Sequence, residues 1–508
     1  MSEKFRLAKG GLINRDKKIS FKFNGKKYFG FEGDTLASAL IANGVHLVGR
    51  SFKYHRPRGF FGAGVDEPYA LVQMNRNNEV DPNVRATEQE LFEGLEAKSV
   101  NCWPNVDFDI GSINNFLNKF FPAGFYYKTF MWPKSFWYKV YEPIIRKAAG
   151  FGAASIKHDK ERYEHKYEYC DLLITGSGPS GLASAYTAAK NGAKVILAED
   201  KPRFGGSLLT SEVTIGNQSG QEWAEKIISE LKSMPNVIVK NRSQVFGYYD
   251  HNMLVMSERI SDHLPKTEKY SPKQRLWYIR AKEVVISSGS IERPLVFGNN
   301  DTPGVMLSSA AKEYLKVYGV LVGKKPIVFT NNDSGYETAI EFKKNGIDPI
   351  VLDTRNDPNS EIIKEAQDLN INIKFSYVVV AAKGYKKVKS ADIAKISNDK
   401  KDISNIENIE CDCICVSGFW TPTIHLASQS GNKTKFNEEI DAFIPSQSKQ
   451  KETTLGSANG IFTLEETLKT SFEKGNELSK QITNKENKVS VPTVVEKKSS
   501  NHDKFWCV

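Results

Sequence analysis

A glycine-rich turn between a short apolar strand and a helix of small residues most constrains this chain. Residues 172–175 read as a strand, and Gly176, Gly178 and Gly181 follow at G-x-G-x-x-G spacing before the apolar run 182–189. The first glycine permits a tight turn, the second lets the backbone approach a pyrophosphate, and the third lets helix and strand pack closely. A helix that begins there offers free N–H groups to phosphate oxygens. The pattern predicts a dinucleotide-binding domain.

A second predicted strand, residues 193–198, ends at Glu199, which lies 23 residues after Gly176. An acidic side chain at that position accepts hydrogen bonds from a ribose 2′-hydroxyl, so the pattern favours an unphosphorylated ribose. Gly206 and Ser207 follow in a loop that we expect to bend over the nucleotide, with Ser207 or nearby N–H groups reaching a phosphate. The fingerprint alone does not distinguish NAD from FAD.

A second strand–helix–strand pattern predicts another Rossmann-like unit at about 322–415. Its elements are a strand at 326–330, a helix at 336–345 and a strand at 350–353. The turn between strand and helix lacks most of the glycines that phosphate approach requires, so we expect a degraded or empty site. The predicted fold is α/β, with two Rossmann-like dinucleotide-binding domains of the two-dinucleotide-binding flavoprotein type.

The first part of the chain predicts a small β-rich module. Residues 19–23 and 26–31 alternate in polarity around an Asn24-Gly25 turn, which indicates a hairpin. A short helix over 36–42 follows. A hairpin followed by a helix is typical of a ubiquitin-like or ferredoxin-like roll.

Four segments are predicted along the chain. They are a ferredoxin-like module at 1–85, an aromatic-rich helical connector at 86–168, a dinucleotide-binding body at 169–475, and a linker or disordered tail at 476–508. The aromatic run 116–141 is either a clamp between domains or a wall of a cofactor pocket or subunit interface. Near the end of the body, Thr463 and Glu466 form a capping-box pattern that predicts a helix starting at Thr463.

Composition narrows the class of protein. The 70 basic and 60 acidic residues give a net charge of +10, but the lysines are dispersed and no stacking module accompanies them, so we expect no nucleic-acid partner. Cys411, Cys413 and Cys415 alternate along a predicted strand, which buried thiols explain without a metal. The charged start lacks a signal-peptide core, so we expect a soluble cytoplasmic protein with no membrane partner. No spacing identifies a catalytic residue.

Several long strings resemble the alpha subunits of heterotetrameric sarcosine oxidases. The resemblance spans nearly all of residues 6–475 and is carried by the strings at 33–40, 49–59, 121–133, 329–333 and 417–423. It implies an oxidoreductase subunit that works with beta, gamma and delta partners in sarcosine catabolism and one-carbon metabolism. In that family the complex converts sarcosine, oxygen and tetrahydrofolate to glycine, hydrogen peroxide and 5,10-methylenetetrahydrofolate.

The resemblance also implies cofactors. Amine oxidation occurs at an FAD of the beta subunit, a covalent FMN lies at the interface of alpha and beta, and the alpha subunit binds NAD without catalytic use. Carried over to this chain, the NAD pocket comprises Gly176, Gly178, Ser180, Gly181, Glu199, Asp200, Lys201, Ser207, Val245, Gly456, Ile461 and Thr463.

Two departures from the family pattern matter. Some relatives bind a [2Fe–2S] cluster in the first module, but residues 59–68 contain no cysteine, so we expect no cluster. The family's alpha subunit continues with an aminomethyltransferase-like folate domain, which we expect this chain to lack.

Other interpretations stay open. One is a self-sufficient reductase with FAD in place of NAD, and another is the matching subunit of a related amine or opine dehydrogenase. The basic segment 49–59 is predicted to bind a flavin phosphate, to face an acidic partner, or to be a solvated loop.

Overall fold

The computed structural model describes residues 3–76, 79–120, 124, 130–150, 152–268, 270–485, 489–499 and 502–505. Two compact units divide the chain. Unit one comprises Met1–Lys160, Pro294–Gly418 and Ser500–Val508, and unit two comprises Glu161–Arg293 and Phe419–Ser499.

The strands are numbered in chain order. The first sixteen are β1 (Asn14–Phe23), β2 (Lys26–Glu32), β3 (Gly49–Arg50), β4 (Pro57–Arg58), β5 (Leu71–Arg76), β6 (Glu79–Arg85), β7 (Glu96–Ser99), β8 (Tyr163–Thr175), β9 (Val195–Ala198), β10 (Thr214–Ile215), β11 (Gln218–Ser219), β12 (Val237–Lys240), β13 (Ser243–Tyr249), β14 (Met253–Arg259), β15 (Gln274–Ile286) and β16 (Ser290–Glu292). The others are β17 (Val305–Leu307), β18 (Pro326–Thr330), β19 (Ile350–Asp353), β20 (Asn372–Phe375), β21 (Tyr377–Gly384), β22 (Val388–Lys395), β23 (Glu407–Glu410), β24 (Cys413–Ser417), β25 (Trp420–Pro422), β26 (Lys433–Asn437), β27 (Ala442–Gln447), β28 (Glu452–Thr454) and β29 (Val494–Val495).

The α-helices are α1 (Leu36–Ala42), α2 (Ile113–Phe116), α3 (Glu142–Ala149), α4 (Pro179–Lys190), α5 (Gly220–Ser233), α6 (Ser308–Tyr318), α7 (Ser334–Lys344), α8 (Glu361–Asp368), α9 (His425–Gln429) and α10 (Leu464–Thr483). Short 3-10 turns at Gly206–Leu209 and Gly456–Asn459 bear on the site described below.

The first module of unit one confirms the predicted hairpin and helix. β1 and β2 pair antiparallel, and α1 begins after Thr35, whose side chain forms a capping box with Ser38. The sheet order is β2-β1-β7-β5-β6. The structure differs from the predicted boundary at residue 85, because β7 pairs with both β1 and β5 and so belongs to the same sheet.

The second sheet of unit one is fully parallel, in the order β17-β24-β18-β19-β20. The predicted strands at 326–330 and 350–353 are confirmed, and α7 begins two residues earlier than predicted. The chain re-enters unit one at Pro294, whereas the sequence predicts that the second Rossmann-like unit begins at about 322. The difference arises because β17, at Val305–Leu307, pairs with β24 and so belongs to this sheet.

Unit two is built on a mixed sheet in the order β12-β9-β8-β15-β14-β13, with β28 parallel to β15. Strands β12, β9, β8 and β15 run parallel, and the β15-β14-β13 meander closes the other side. Helix α4 packs against α10, where a Cβ on Gly475 would lie 3.0 Å from Thr187 Cβ. The Gly176 N–H, directly after β8, donates to the Ala198 carbonyl at the end of β9, and α4 begins three residues later. The strand–turn–helix that the fingerprint predicted is therefore present.

The structure differs from the linker or disordered tail expected at 476–508. Residues 476–483 complete α10, and β29 pairs antiparallel with β10. The apolar side chains of Leu478, Val489 and Val494 pack on the hydrophobic core of unit two, which is why these residues are ordered.

Part of the predicted aromatic connector, residues 121–123 and 125–129, lies outside the described residues. Among its described aromatics, Phe116, Trp132 and Tyr138 are each 83% exposed. These side chains do not form a packed clamp within unit one, and the interpretation as a surface for another polypeptide stays a prediction.

Candidate dinucleotide-binding site

The three fingerprint glycines are required for different reasons. Gly176 has a φ of +101°, and a Cβ there would lie 2.3 Å from the Ser287 carbonyl oxygen. A Cβ on Gly181 would lie 1.9 Å from the Gly176 carbonyl oxygen. A Cβ on Gly178 would meet no protein atom within 4 Å. The protein's own packing explains why Gly176 and Gly181 are glycines. Gly178 instead borders open space, in which a ligand could approach the backbone closely.

Helix α4 begins at this open space. Gly178 is its N-cap and Pro179 its first residue, and no side chain caps the helix. The N–H of Leu182 donates to the Gly178 carbonyl, so the N–H groups of Ser180 and Gly181 have no acceptor within the helix. An uncapped N-terminus whose first N–H groups have no acceptor within the helix favours a phosphate.

Glu199 lies at the end of β9 and ties it to the glycine turn. Its Oε2 accepts hydrogen bonds from the Ser177 N–H at 2.9 Å and the Ser177 hydroxyl at 2.5 Å, and its Oε1 accepts one from the Lys201 N–H at 3.0 Å. The side chain is 6% exposed, and burial, followed by the neighbouring Asp200 charge, raises the pKa of Glu199 to about 8. The carboxyl group thus positions the turn, a role that the sequence pattern did not indicate.

Asp200 and Lys201 continue the chain past Glu199. The Asp200 carbonyl accepts a hydrogen bond from the Arg259 guanidinium at 2.9 Å, and the Lys201 carbonyl accepts one from the Arg242 N–H at 3.1 Å. The Asp200 carbonyl is therefore bonded to the end of β14, and the Lys201 carbonyl to the turn between β12 and β13.

The loop over the turn is held by backbone contacts. The Gly205 N–H donates to the Ser177 carbonyl at 3.1 Å, and a Cβ on Gly206 would lie 2.9 Å from Gly178 Cα. Ser207 is exposed at the start of the 3-10 turn. Gly206 therefore lies next to Gly178, and the expectation that this loop bends over a nucleotide stays a prediction.

The closing segment reaches the same helix start through Gly456. This residue has a φ of +66°, and a Cβ there would lie 3.0 Å from Ser180 Cβ. Ser180 Oγ also accepts a hydrogen bond from the Ser471 hydroxyl at 2.9 Å. Ile461, half-buried, donates its N–H to the Gly456 carbonyl. Val245 is half-buried on β13, where it packs against a core cluster of unit two.

The last helix begins where predicted, but its cap differs. Thr463 is the exposed N-cap of α10 and forms no side-chain cap, so the predicted capping box is wrong. The Glu496 carboxylate instead accepts hydrogen bonds from the N–H groups of Leu464 at 2.8 Å and Glu465 at 2.9 Å. A carboxylate 31 residues further along the chain supplies the negative charge that a helix N-terminus favours.

The arginines of the basic segment 49–59 have partners within unit one. Arg56 and Arg58 both pair with Asp301, with 2.6 Å between Arg56 Nη2 and Asp301 Oδ1. Arg50 is 3% exposed and donates to the Val106 carbonyl. These contacts favour a structural role over a phosphate site or a solvated loop.

The loop that would hold an iron–sulfur cluster is organised by a carboxylate. Glu67 is 1% exposed and accepts hydrogen bonds from the N–H groups of Phe61 at 2.6 Å, Gly62 at 2.8 Å, Tyr69 at 2.6 Å and Ala70 at 3.1 Å. Burial raises the pKa of this carboxyl group, against the effect of the four backbone donors. The amides of the loop therefore converge on a carboxyl group of the chain itself.

Comparison with known proteins identifies two families. Residues 16–102 match the 2Fe-2S iron-sulfur cluster binding domain, and residues 170–449 match the Pyridine nucleotide-disulphide oxidoreductase family. The residues present do not fit a cysteine-ligated cluster, because a [2Fe–2S] site needs several cysteines and the sequence of residues 16–102 contains only Cys102. Among the described residues, no three His, Cys, Asp or Glu side chains are grouped to hold a metal.

Two curated relatives are similar over most of the chain. It is 44% identical to sarcosine oxidase subunit alpha of Rhizobium meliloti (strain 1021) over 89% of its own length and 45% of that protein. It is 30% identical to sarcosine oxidase subunit alpha of Corynebacterium sp. (strain U-96) over 91% of its length and 43% of that protein. These similarities confirm the resemblance that the motifs indicated. The chain spans less than half the length of these relatives.

A solved structure has a similar fold. The crystal structure of L-proline dehydrogenase from P. horikoshii aligns with a TM-score of 0.62 at 19% identity, covering 95% of this chain and 75% of that one. Within the described ranges, no helix has both the length and the apolar character that crossing a membrane requires. With more than half of its residues matched, the chain belongs to the pyridine nucleotide-disulphide oxidoreductase family.

Proposed function

We propose that this chain is the alpha-type subunit of a sarcosine oxidase complex and holds NAD as a resident, non-catalytic cofactor in unit two. The observation that carries the proposal is the open space at Gly178, beside a helix N-terminus that no side chain caps. Packing explains the neighbouring glycines, so the glycine at 178 is best explained by a ligand. Phosphate oxygens fit this position because N–H groups without an acceptor in the helix and the helix dipole both favour negative charge.

The residues present fit a dinucleotide along one edge of unit two. Gly178, Ser180, Gly181, Gly206 and Ser207 would hold the pyrophosphate. At the end of β9 the ribose would contact Glu199, whose oxygens retain acceptor capacity beyond the three bonds they accept, with Asp200 and Lys201 adjacent. Val245 would face the adenine, while Gly456, Ile461 and Thr463 would close the pocket. In this proposal NAD would stabilise the folded state by binding to it and would take no part in the reaction.

Two observations disfavour the alternative of a self-sufficient reductase with FAD in this site. Disulphide reduction needs a pair of thiols, and Cys170, the only cysteine in the sequence of unit two, is buried in β8. A reductase also needs a second nucleotide site. In the second Rossmann-like unit the acid at the end of β19, Asp353, is occupied by Arg355 and by the Tyr336 hydroxyl.

The chemistry of the complex is proposed to lie with partner subunits. Amine oxidation would use FAD on a beta subunit, with FMN at the interface, and gamma and delta subunits would complete the assembly. The exposed aromatics Phe116, Trp132 and Tyr138 lie in a segment that also exposes Phe108, Phe120 and Met131. A concentration of exposed apolar side chains of this kind supports a surface for another polypeptide. The chain spans less than half of its curated relatives, so transfer of the one-carbon unit to tetrahydrofolate is proposed for the complex as a whole.

Co-expression with the partner subunits tests this function. The assembled complex is expected to oxidise sarcosine and release hydrogen peroxide, while the chain alone turns over no sarcosine. Oxidation of L-proline or an opine in preference to sarcosine would instead support a related dehydrogenase. Sarcosine oxidation by the isolated chain would overturn the subunit assignment.

A further inference from the structure

Residues 502–505 lie at the carboxyl ends of the parallel strands in unit one. The Asp503 N–H donates to the Asn331 carbonyl at 2.8 Å. In return, the Asn331 side-chain amide donates to the carbonyls of Asp503 at 2.8 Å and Phe505 at 3.0 Å. Asn331 directly follows β18, so a single residue at the end of the strand holds the segment by three hydrogen bonds.

The Asp503 side chain is recognised separately. Its Oδ2 accepts a hydrogen bond from the Thr354 hydroxyl at 2.9 Å and forms an ion pair with Lys400 Nζ. Thr354 is fully buried and directly follows β19. Phe505 packs against the hydrophobic cluster beneath the sheet. Backbone, carboxylate and aromatic ring thus each have a matching group.

This position is where a Rossmann-like sheet binds its ligand. In open parallel sheets, ligands lie outside the carboxyl ends of the strands, where the strand order reverses. Here β18 has β24 on one side and β19 on the other, and the Asn331 N–H donates to the Ser417 carbonyl at the end of β24. Asn331 and Thr354 stand at the ends of the two strands that a dinucleotide would contact.

The polar groups around this crevice are paired with one another in a way that disfavours nucleotide binding. Asp353 stands where an acid would bind a ribose, but Arg355 contacts both of its oxygens, and Arg355 Nη1 also pairs with Asp333 at 2.9 Å. Tyr336 donates its hydroxyl to the same Asp353 carboxylate at 2.7 Å. These buried charged groups pair with one another. Asn331, Thr354 and Lys400 are the groups that bind the chain segment.

We propose that this crevice is a binding site for an extended peptide with an acidic side chain, and that residues 502–505 occupy it within the same chain. The Asp503 carboxylate is the recognised group, and its presence excludes a second dinucleotide from unit one. The second Rossmann-like unit then serves to hold this segment of chain and takes no part in hydride transfer.

Hydrogen exchange of residues 1–508, read by mass spectrometry, tests the proposal independently of any nucleotide in unit two. The Asp503 amide is expected to exchange roughly tenfold or more slowly than in a free peptide of the same sequence. Asp503→Ala and Lys400→Met are expected to remove this protection. Lys401→Met is the matched control, because Lys401 is exposed next to Lys400, and it is expected to leave protection unchanged.

Two results would overturn the proposal. One is exchange of the 502–505 peptide at the free-peptide rate in the unsubstituted chain, or an equal effect of the two lysine substitutions. The other is faster exchange of that peptide when NADH or NADPH is added, since displacement by a dinucleotide would make the crevice a nucleotide site.

Discussion

Glu199 accepts two hydrogen bonds from Ser177, one from the backbone N–H at 2.9 Å and one from the hydroxyl at 2.5 Å. The end of β9 is thereby fixed to the middle of the glycine-rich turn. The residue expected to contact a ribose is thus also a positioning residue for the turn that would hold the phosphates.

The buried carboxyl of Glu199 predicts a pH-dependent stability. Its pKa rises from an ordinary 4.5 to about 8 on folding, so the folded state binds more protons than the unfolded state between these values. Its contribution to stability is therefore expected to fall as pH rises from about 5 to about 8.

Glu199→Gln cannot titrate, so the variant is expected to lose this slope in thermal unfolding of the nucleotide-free protein. Glu225→Gln, an exposed substitution on α5, is the control and should follow the unsubstituted profile. Parallel profiles for all three proteins would show that Glu199 does not titrate in this range.

Substitution of Gly178 and of Gly181 by alanine is expected to affect different properties, nucleotide retention in the first case and stability in the second. Gly178→Ala adds a methyl group that meets no protein atom, so it is expected to cost at most about 1 kcal/mol, as a poorer N-cap. Its retention of the dinucleotide should fall at least roughly tenfold, because the methyl group occupies the phosphate position. Gly181→Ala forces a methyl group against the Gly176 carbonyl and is expected to destabilise the apo fold by about 2 kcal/mol or more.

Thermal unfolding and nucleotide content of the two variants separate these effects. A stable Gly178→Ala protein with full nucleotide occupancy would contradict the phosphate position assigned here.

Glu67 is expected to stabilise the loop at which relatives of this fold would hold an iron–sulfur cluster. Glu67→Ala removes the acceptor of four N–H groups, two of them buried, and is expected to lower the free energy of unfolding by about 2–4 kcal/mol. Asp66→Ala in the same loop removes the acceptor of only the Gly64 N–H and should cost about 1 kcal/mol. Denaturant unfolding measures both, and equal losses would argue against a special role for Glu67.

Glu496 predicts a long-range helix cap. Glu496→Ala removes the acceptor of two N–H groups at the start of α10, and about 1 kcal/mol of stability is expected to be lost. Glu496→Gln keeps one acceptor oxygen and is expected to lose less. Thermal unfolding at low and high salt checks the charge contribution, which should shrink as salt rises. An unchanged Tm for the alanine variant would mean that the cap does not stabilise the helix.

Local patterns predicted most of the elements around the site. The hairpin at Asn24-Gly25, the helix over 36–42 and the strand–turn–helix at Gly176–Gly181 follow from residues close together in sequence, whose backbone preferences act within one turn or hairpin. The same holds for the strand that ends before Glu199 and for the start of α10 after Thr463, whereas the ribose role of Glu199 stays a prediction. These features needed no knowledge of the rest of the chain.

The missed features all depend on partners far apart in sequence. Glu496 replaces the predicted capping box from 31 residues away, and Asp503 reaches Asn331 and Thr354 across more than a hundred residues. No periodicity marks such an acid, and the tail's polar composition favours disorder when it is considered alone. Hydrogen bonds between residues far apart in sequence decide these cases, and only the folded chain shows them.

The most direct measurement is the identity and amount of nucleotide released when the purified chain is denatured. One NAD per chain, without flavin colour, is expected from the unsubstituted protein, and a much lower amount from Gly178→Ala. Release of FAD, or of no adenine nucleotide at all, would contradict the central claim that unit two holds NAD at the glycine-rich turn.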